Sequence, residues 1–225
     1  MALSVFNEGC RVRPWNNWYH CIGTTHGSWV RGDPRGWRAK HHREHVEGDY
    51  MRPPAPGVYS QLQRESQKLM KRPPVALDPQ QRLAACLAII EALEHHQVEV
   101  VDLAVGAKHY HLLARFTPLD GSRNTPARPP AGFCGAHARG DDLDPIPRYI
   151  LGKAHSWCTR RVREACGQSP GSPEPGRKMD CGLWAPKPKC QPIRDRAHQL
   201  QVVRYIREHE AEGAVVWSRI KAPRE

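Results

Sequence analysis

Apolar positions recur at helical spacing in one clear run, where Leu83, Leu87, Ile90 and Leu93 fall on one face. Asp78 stands at its start as a cap, Pro79 suits the first turn, and Gln81 completes a capping-box spacing. After "EHHQ" the period changes to two β-rich runs, "VEVVDLAV" (98–105) and "HYHLLARF" (109–116), joined by the tight connection "GAK". "WNNWYHCIGTT" (15–25) reads as an earlier strand, and the polar segment 58–70 as a short helix between "RPPAPG" and "KRPP". Further on, the pattern predicts a basic helix over about 147–166, a short strand in "CGLWAPKP", and a helix over 194–213 ending at Gly213.

Strand, helix, strand, strand, helix, strand, helix is the order of a split βαβ unit. The expected fold is therefore α+β, a ferredoxin-like or RRM-like sheet with helices on one face. One domain accounts for residues 1–225, with its core at about 18–211. Residues 26–77 look like an insertion after the first strand. The Pro/Gly-rich stretches at about 117–145 and 167–180 look like mobile loops. No internal repeat is visible.

Charge adds a partner class. Lys and Arg total 34 against 23 Asp and Glu, a formal +11. Such an excess favours a polyanion, because each cation that meets a phosphate releases condensed counterions. A merely basic surface is the plainer alternative. No window approaches the roughly 20 apolar residues that span a bilayer. The N-terminal "MALSVFNEGCRVRPW" lacks the n- and h-regions of a secretory signal, so the expected location is cytoplasmic. The eight cysteines include no C-x-x-C pair, which favours reduced thiols over a disulfide framework or a zinc ribbon.

The candidate chemistry lies in "HYH". On a strand, His109 and His111 project to one side and Tyr110 to the other, so both imidazoles can reach a single ion. Taken alone, H-x-H is more often structural, and two ligands are too few for an enzyme site. The late helix offers more. In "VVRYIREHEAEG", Tyr205 and His209 are four apart and share a face.

Together these residues resemble a family. "HYH" looks like the histidine-hydrophobe-histidine motif of HUH endonucleases. With "TTHGSWVRGDPRGW" near the start and "VVRYIREH" near the end, the chain is similar to insertion-sequence-200-like single-tyrosine transposases, relatives of the REP-associated tyrosine transposases. The resemblance implies that Tyr205 is the nucleophile, attacking single-stranded DNA to leave a 5′-phosphotyrosine link and a free 3′-OH. It implies that His109, His111 and His209 hold Mg²⁺ or Mn²⁺, His209 standing where the family commonly has Gln or Asn. A hairpin-bearing DNA partner and a homodimer are implied as well. Lys108 in place of Asn before the first His, and Tyr110 in place of an aliphatic residue, depart from the pattern without removing a catalytic group. A third imidazole could favour Mn²⁺ or Zn²⁺ over Mg²⁺. Tyr149 is the alternative nucleophile, since some relatives place the tyrosine on a different helix.

Other signals point to nucleic acid. "WVRGDPRGWR" combines Trp29, Arg31, Arg35, Trp37 and Arg38, rings for stacking beside cations for phosphate, and is equally readable as a loop fixed by its own tryptophans. Lys153, Arg160 and Arg161 on the basic helix are candidate phosphate contacts, against a generic solubilising face. "HHREH" (41–45) reads as a solvated run. A histidine-triad hydrolase would need a third His where Leu113 stands, and a two-histidine phosphodiesterase needs two H-x-T/S motifs. The live alternative to a transposase is a domesticated relative that binds single-stranded or hairpin DNA without cutting it.

Overall fold

A computed structural model describes residues 15–33, 57–116, 145–166 and 182–220 of the chain. In chain order the elements are β1 (Trp18–Thr24), α1 (Ser60–Lys68), α2 (Pro79–His95), β2 (Glu99–Val105), β3 (His109–Arg115), α3 (Pro145–Ala165), β4 (Lys189–Pro192), α4 (Arg196–Glu208) and β5 (Val215–Ser218). The five strands form one sheet, ordered β4-β1-β3-β2-β5, with every neighbouring pair antiparallel. The class is α+β, as the pattern of periods predicts. With α2 between β1 and β2, and α3 between β3 and β4, the first four strands make the split βαβ, ferredoxin-like arrangement. β5 extends it beyond β2.

β3 lies at the centre and decides where the helices go. Tyr110, Leu112 and Ala114 point to one side, into a core with Ile89 and Leu93 of α2 and Leu151, Ala154 and Cys158 of α3. Leu113 points to the other, where it meets Ala104 of β2 and Val202 and Ile206 of α4. A strand apolar on both faces needs cover on both. The expectation of helices on one face is therefore corrected: α2 and α3 cover one face and α4 part of the other.

Asp78 caps α2 as expected. Its carboxylate accepts from the Gln81 amide at 2.8 Å, and the Gln81 side chain accepts from the Asp78 amide at 3.1 Å. The buried stripe of α2 differs from the one read in the sequence. Ala85, Cys86, Ala88, Ile89, Ala92 and Leu93 face inward, while Leu83 and Leu87 are exposed. The segment "LAACLAIIEAL" is apolar nearly all round, so its spacing admits two stripes. The one rich in small residues lets α3 approach closely, and the Cys158 thiol reaches the Ala85 carbonyl at 3.8 Å.

Two boundaries also move, and one strand is added. "CGLWAPKP" supplies only a bridge between Thr25 and Trp184, and the strand follows at Lys189–Pro192. Pro186 and Pro188 lack the amides a ladder needs, which pushes pairing beyond them. α4 stops at Glu208 rather than Gly213. Residues 209–213 form turns that close at Gly213, whose φ of 80° suits glycine. β5, "VVWS", has only four residues and no usable period, and the sequence pattern did not suggest it. Among the described residues no helix is long and apolar enough to cross a membrane. The described cysteines, Cys21, Cys86, Cys158, Cys166 and Cys190, are free thiols.

Candidate metal and tyrosine centre

The "GAK" connection sets the position of His109. The Gly106 amide donates to the His109 carbonyl at 2.9 Å, closing the β2–β3 hairpin. The Lys108 carbonyl accepts from the Thr25 amide at 2.8 Å, and the Ala107 carbonyl from the Leu77 amide at 2.8 Å. The start of β3 is thus fixed from two sides, by the end of β1 and by the approach to α2.

The middle letter of "HYH" is an anchor. Tyr110 is fully buried on the α3 side, where its hydroxyl lies 2.8 Å from His155 Nε2. Burial lowers the His155 pKa to about 4, so at neutral pH the ring is uncharged and pairs with the Tyr110 hydroxyl as a neutral hydrogen-bond partner. Opposite Tyr110 across the β1–β3 ladder stands Gly23. A Cβ there would lie 2.2 Å from the Tyr110 ring, so the pair fits only because residue 23 is glycine.

The flanking imidazoles project to the α4 side. Tyr205 lies in the last full turn of α4, and His209 is its C-cap. Ring centroids are 5.0 Å apart for His109 and His111, 5.6 Å for His109 and His209, and 4.6 Å for His111 and His209. One nitrogen from each of the three lies within 4.8 Å of the others. An ion about 2.1 Å from each nitrogen needs separations of roughly 4.2 Å or less, within reach of small side-chain adjustments. Tyr205 stands over the group, its ring 5.0 Å from that of His111 and 4.7 Å from that of His209, and it remains 44% exposed. A strand pair and a helical i, i+4 pair, read separately in the sequence, converge on one site.

Several features suit the three histidines to a cation. His209 Nδ1 lies 2.8 Å from the Tyr205 carbonyl, so it carries the proton there and leaves Nε2 for a ligand bond. His111 is held neutral, its pKa lowered to about 3 by burial first and then by His109, His20 and His209. Three imidazole nitrogens so placed can hold a cation.

His20 was missed by the sequence reading. From β1 it places Nε2 3.1 Å from His111 Nδ1, and its ring lies 6.1 Å from that of Tyr205. Its pKa is lowered to about 4, by burial and then by His198, Lys189 and His209. The only available signal was alternation: Tyr19 and Cys21 face the main core, which turns His20 toward the site. Asp102 and Arg207 were missed too. The carboxylate is fully buried on β2 beside the β2–β3 register irregularity, and its Oδ1 accepts from Arg207 Nε at 3.0 Å. Arg207 also donates to Ser218 Oγ at 2.8 Å, so it ties α4 to β2 and β5 together.

The other candidate residues do not all gather here. Tyr149 sits on α3, packed against the main core on the opposite face of the sheet, with Lys153 5.5 Å over its ring. Lys153, Arg160 and Arg161 belong to that same helix. Arg160 lies 4.3 Å over the Trp157 ring, and Arg161 pairs with Glu91 at 3.4 Å and Glu164 at 3.3 Å. Trp29 and Arg31 are exposed in the segment leaving β1 at its His109 end, where Thr24 pairs with His109. Arg35, Trp37, Arg38, "HHREH" and nearly all of the two expected loops lie outside the described residues. No protein-family model matches the chain, and comparison with curated proteins and with solved structures gives no match either.

Proposed function

We propose that this protein cleaves and rejoins single-stranded DNA through a covalent tyrosine intermediate, as the resemblance to single-tyrosine HUH transposases implies. The observation that carries the proposal is the convergence of His109, His111, Tyr205 and His209, with a partly exposed phenol beside a three-nitrogen cluster able to hold a cation. A basic chain supplies the attraction for a polyanion.

Tyr205 Oη attacks the scissile phosphorus and the P–O3′ bond breaks. The phenolic proton ends, net, on the departing 3′-oxygen. The tyrosyl phosphodiester retains the energy of the broken bond, so a 3′-OH can displace the tyrosine and rejoin a strand without ATP. A free phenol has a pKa near 10 and is a weak nucleophile at neutral pH. A divalent ion held by His109, His111 and His209 would polarise a phosphate oxygen and offset the charge that develops there. Mn²⁺ fits these donors better than Mg²⁺. His209, bonded to the Tyr205 carbonyl, fixes the helical turn that presents the phenol. We further propose that the substrate carries a hairpin and that the acting form is a homodimer, both from the resemblance.

The test is incubation of labelled, hairpin-bearing single-stranded DNA with protein and Mn²⁺, then denaturing electrophoresis. A covalent adduct is expected, lost in Tyr205→Phe and kept in Tyr149→Phe. An adduct that survives Tyr205→Phe removes the site assignment. Hairpin binding without an adduct under any divalent ion would mark a binding protein instead.

A further inference from the structure

A histidine that binds an ion through one ring nitrogen carries its proton on the other, and that N–H needs a partner. The partner fixes the tautomer and the ring's orientation, and it is most often a carboxylate or a backbone carbonyl. His209 satisfies the rule through the Tyr205 carbonyl. His111 is buried, its Nδ1 faces into the protein from the central strand, and the atom 3.1 Å away is His20 Nε2. Besides His111, the groups near His20 are Tyr205, whose ring lies 6.1 Å away, Lys189 from β4, and His198 and His209 from α4, none of them a carboxylate.

Resting on the metal reading given above, we propose that His20 is the positioning residue of the metal centre, its Nε2 accepting the Nδ1 proton of His111 so that His111 Nε2 is presented to the ion. His20 is 7% exposed and His111 5%, so water has little access to replace either partner. The register supports the geometry. On the α4 side of the sheet, His20 lies opposite Leu113 and Ile22 lies opposite His111, so the two imidazoles meet diagonally across neighbouring strands. The diagonal lets the His20 ring lie beside that of His111, with centroids 5.3 Å apart and planes tilted by 32°. His20 itself touches no ion. It acts through His111 alone and stands outside the three-ligand cluster.

The role predicts a pattern that a packing role does not. Mn²⁺ affinity, read by electron paramagnetic resonance on the full chain without DNA, should fall about 10- to 100-fold in His20→Ala. His20→Gln offers an amide oxygen in place of the ring nitrogen and should recover most of the affinity. His209→Ala, which removes a ligand, sets the scale for complete loss. Wild-type affinity in His20→Ala overturns the proposal and leaves the metal centre standing, as does a Gln variant no better than Ala. Should His20→Ala fail to fold, nitrogen-15 NMR of the Zn²⁺-loaded wild type decides. A His111 ring protonated at Nδ1 beside a His20 ring unprotonated at Nε2 supports the proposal, and a His20 proton on Nε2 overturns it. A wild-type chain that binds neither Mn²⁺ nor Zn²⁺ removes the centre and this role together.

Discussion

Tyr110 and its neighbours divide the work of three consecutive letters between two faces of one strand. The phenol is committed to the core, bonded to His155, and the flanking imidazoles to the site. His155 then makes stability depend on pH. Its folded pKa of about 4 lies below the ordinary 6.5, so above pH 6.5 it contributes no pH dependence. As pH falls from 6.5 toward 4, only the unfolded chain takes up the proton and stability is lost; below 4 both states are protonated and the loss stops. The full effect is about 3 kcal/mol. His155→Gln keeps an acceptor for the Tyr110 hydroxyl but does not titrate. Its urea midpoint should fall less between pH 7.5 and 4.5 than that of the wild type, and equal slopes would count against this role. At this scale the sequence was informative about His109, His111, Tyr205 and His209, whose spacing within strand or helix is local. It was silent about His20, which joins them through a diagonal neighbour on the next strand, His111, ninety-one positions away.

At the scale of elements, α4 carries both the phenol and the third imidazole, so its register on the sheet sets the site. The Asp102–Arg207 pair holds that register from within the β2–β5 edge. Asp102 Oδ2 finds no hydrogen-bond partner among the described residues, so the cost of burying the carboxylate is only partly offset. The pair therefore favours one alignment of the helix more than it adds stability. Arg207→Ala leaves a buried charge unpaired and should cost on the order of 3 kcal/mol in urea unfolding. The double change Asp102→Leu, Arg207→Met should recover most of that stability, yet lower the yield of DNA adduct by loosening α4. A double variant with full adduct yield would show that the pair does not align the site. The elements themselves were largely legible, because capping signals and periods are local. The inward stripe of α2 was not, since only the small residues facing α3 decide between two apolar stripes.

Over the whole molecule, cations occupy both sides of the sheet. Lys189 lies near the histidines, whereas Lys153, Arg160 and Arg161 lie on α3 across the sheet, with Arg161 already engaged by Glu91 and Glu164. Under the proposed reaction, a strand whose phosphate reaches Tyr205 would run on the first side. Lys189→Glu should weaken single-stranded DNA binding and reduce the salt slope by about 0.7 for each phosphate that is no longer neutralised. Arg160→Glu should leave the slope near that of wild type, and the reverse ranking would move the binding face to α3. Net charge is compatible with a polyanion and says nothing of a side. The apolar residues of β3 send α2 and α3 to one face and leave the histidines on the other, which is the side the proposed reaction would use.

His209 occupies the C-cap of α4, the place where a helix begins to unwind. Its carbonyl receives the amides of Glu212 at 3.1 Å and Ala214 at 3.0 Å, and its ring bonds back to Tyr205 one turn earlier. Fraying there separates the phenol from the strand histidines, whereas a cation bridging His209 to β3 would pin the helix end. Amide-proton exchange across residues 209–214 should therefore slow when Mn²⁺ is added and stay fast in His109→Ala. Unchanged exchange in the wild type would show that the end is held without the ion. Loading the centre would then do more than prepare a phosphate for attack: it would determine how long the attacking group stays in place.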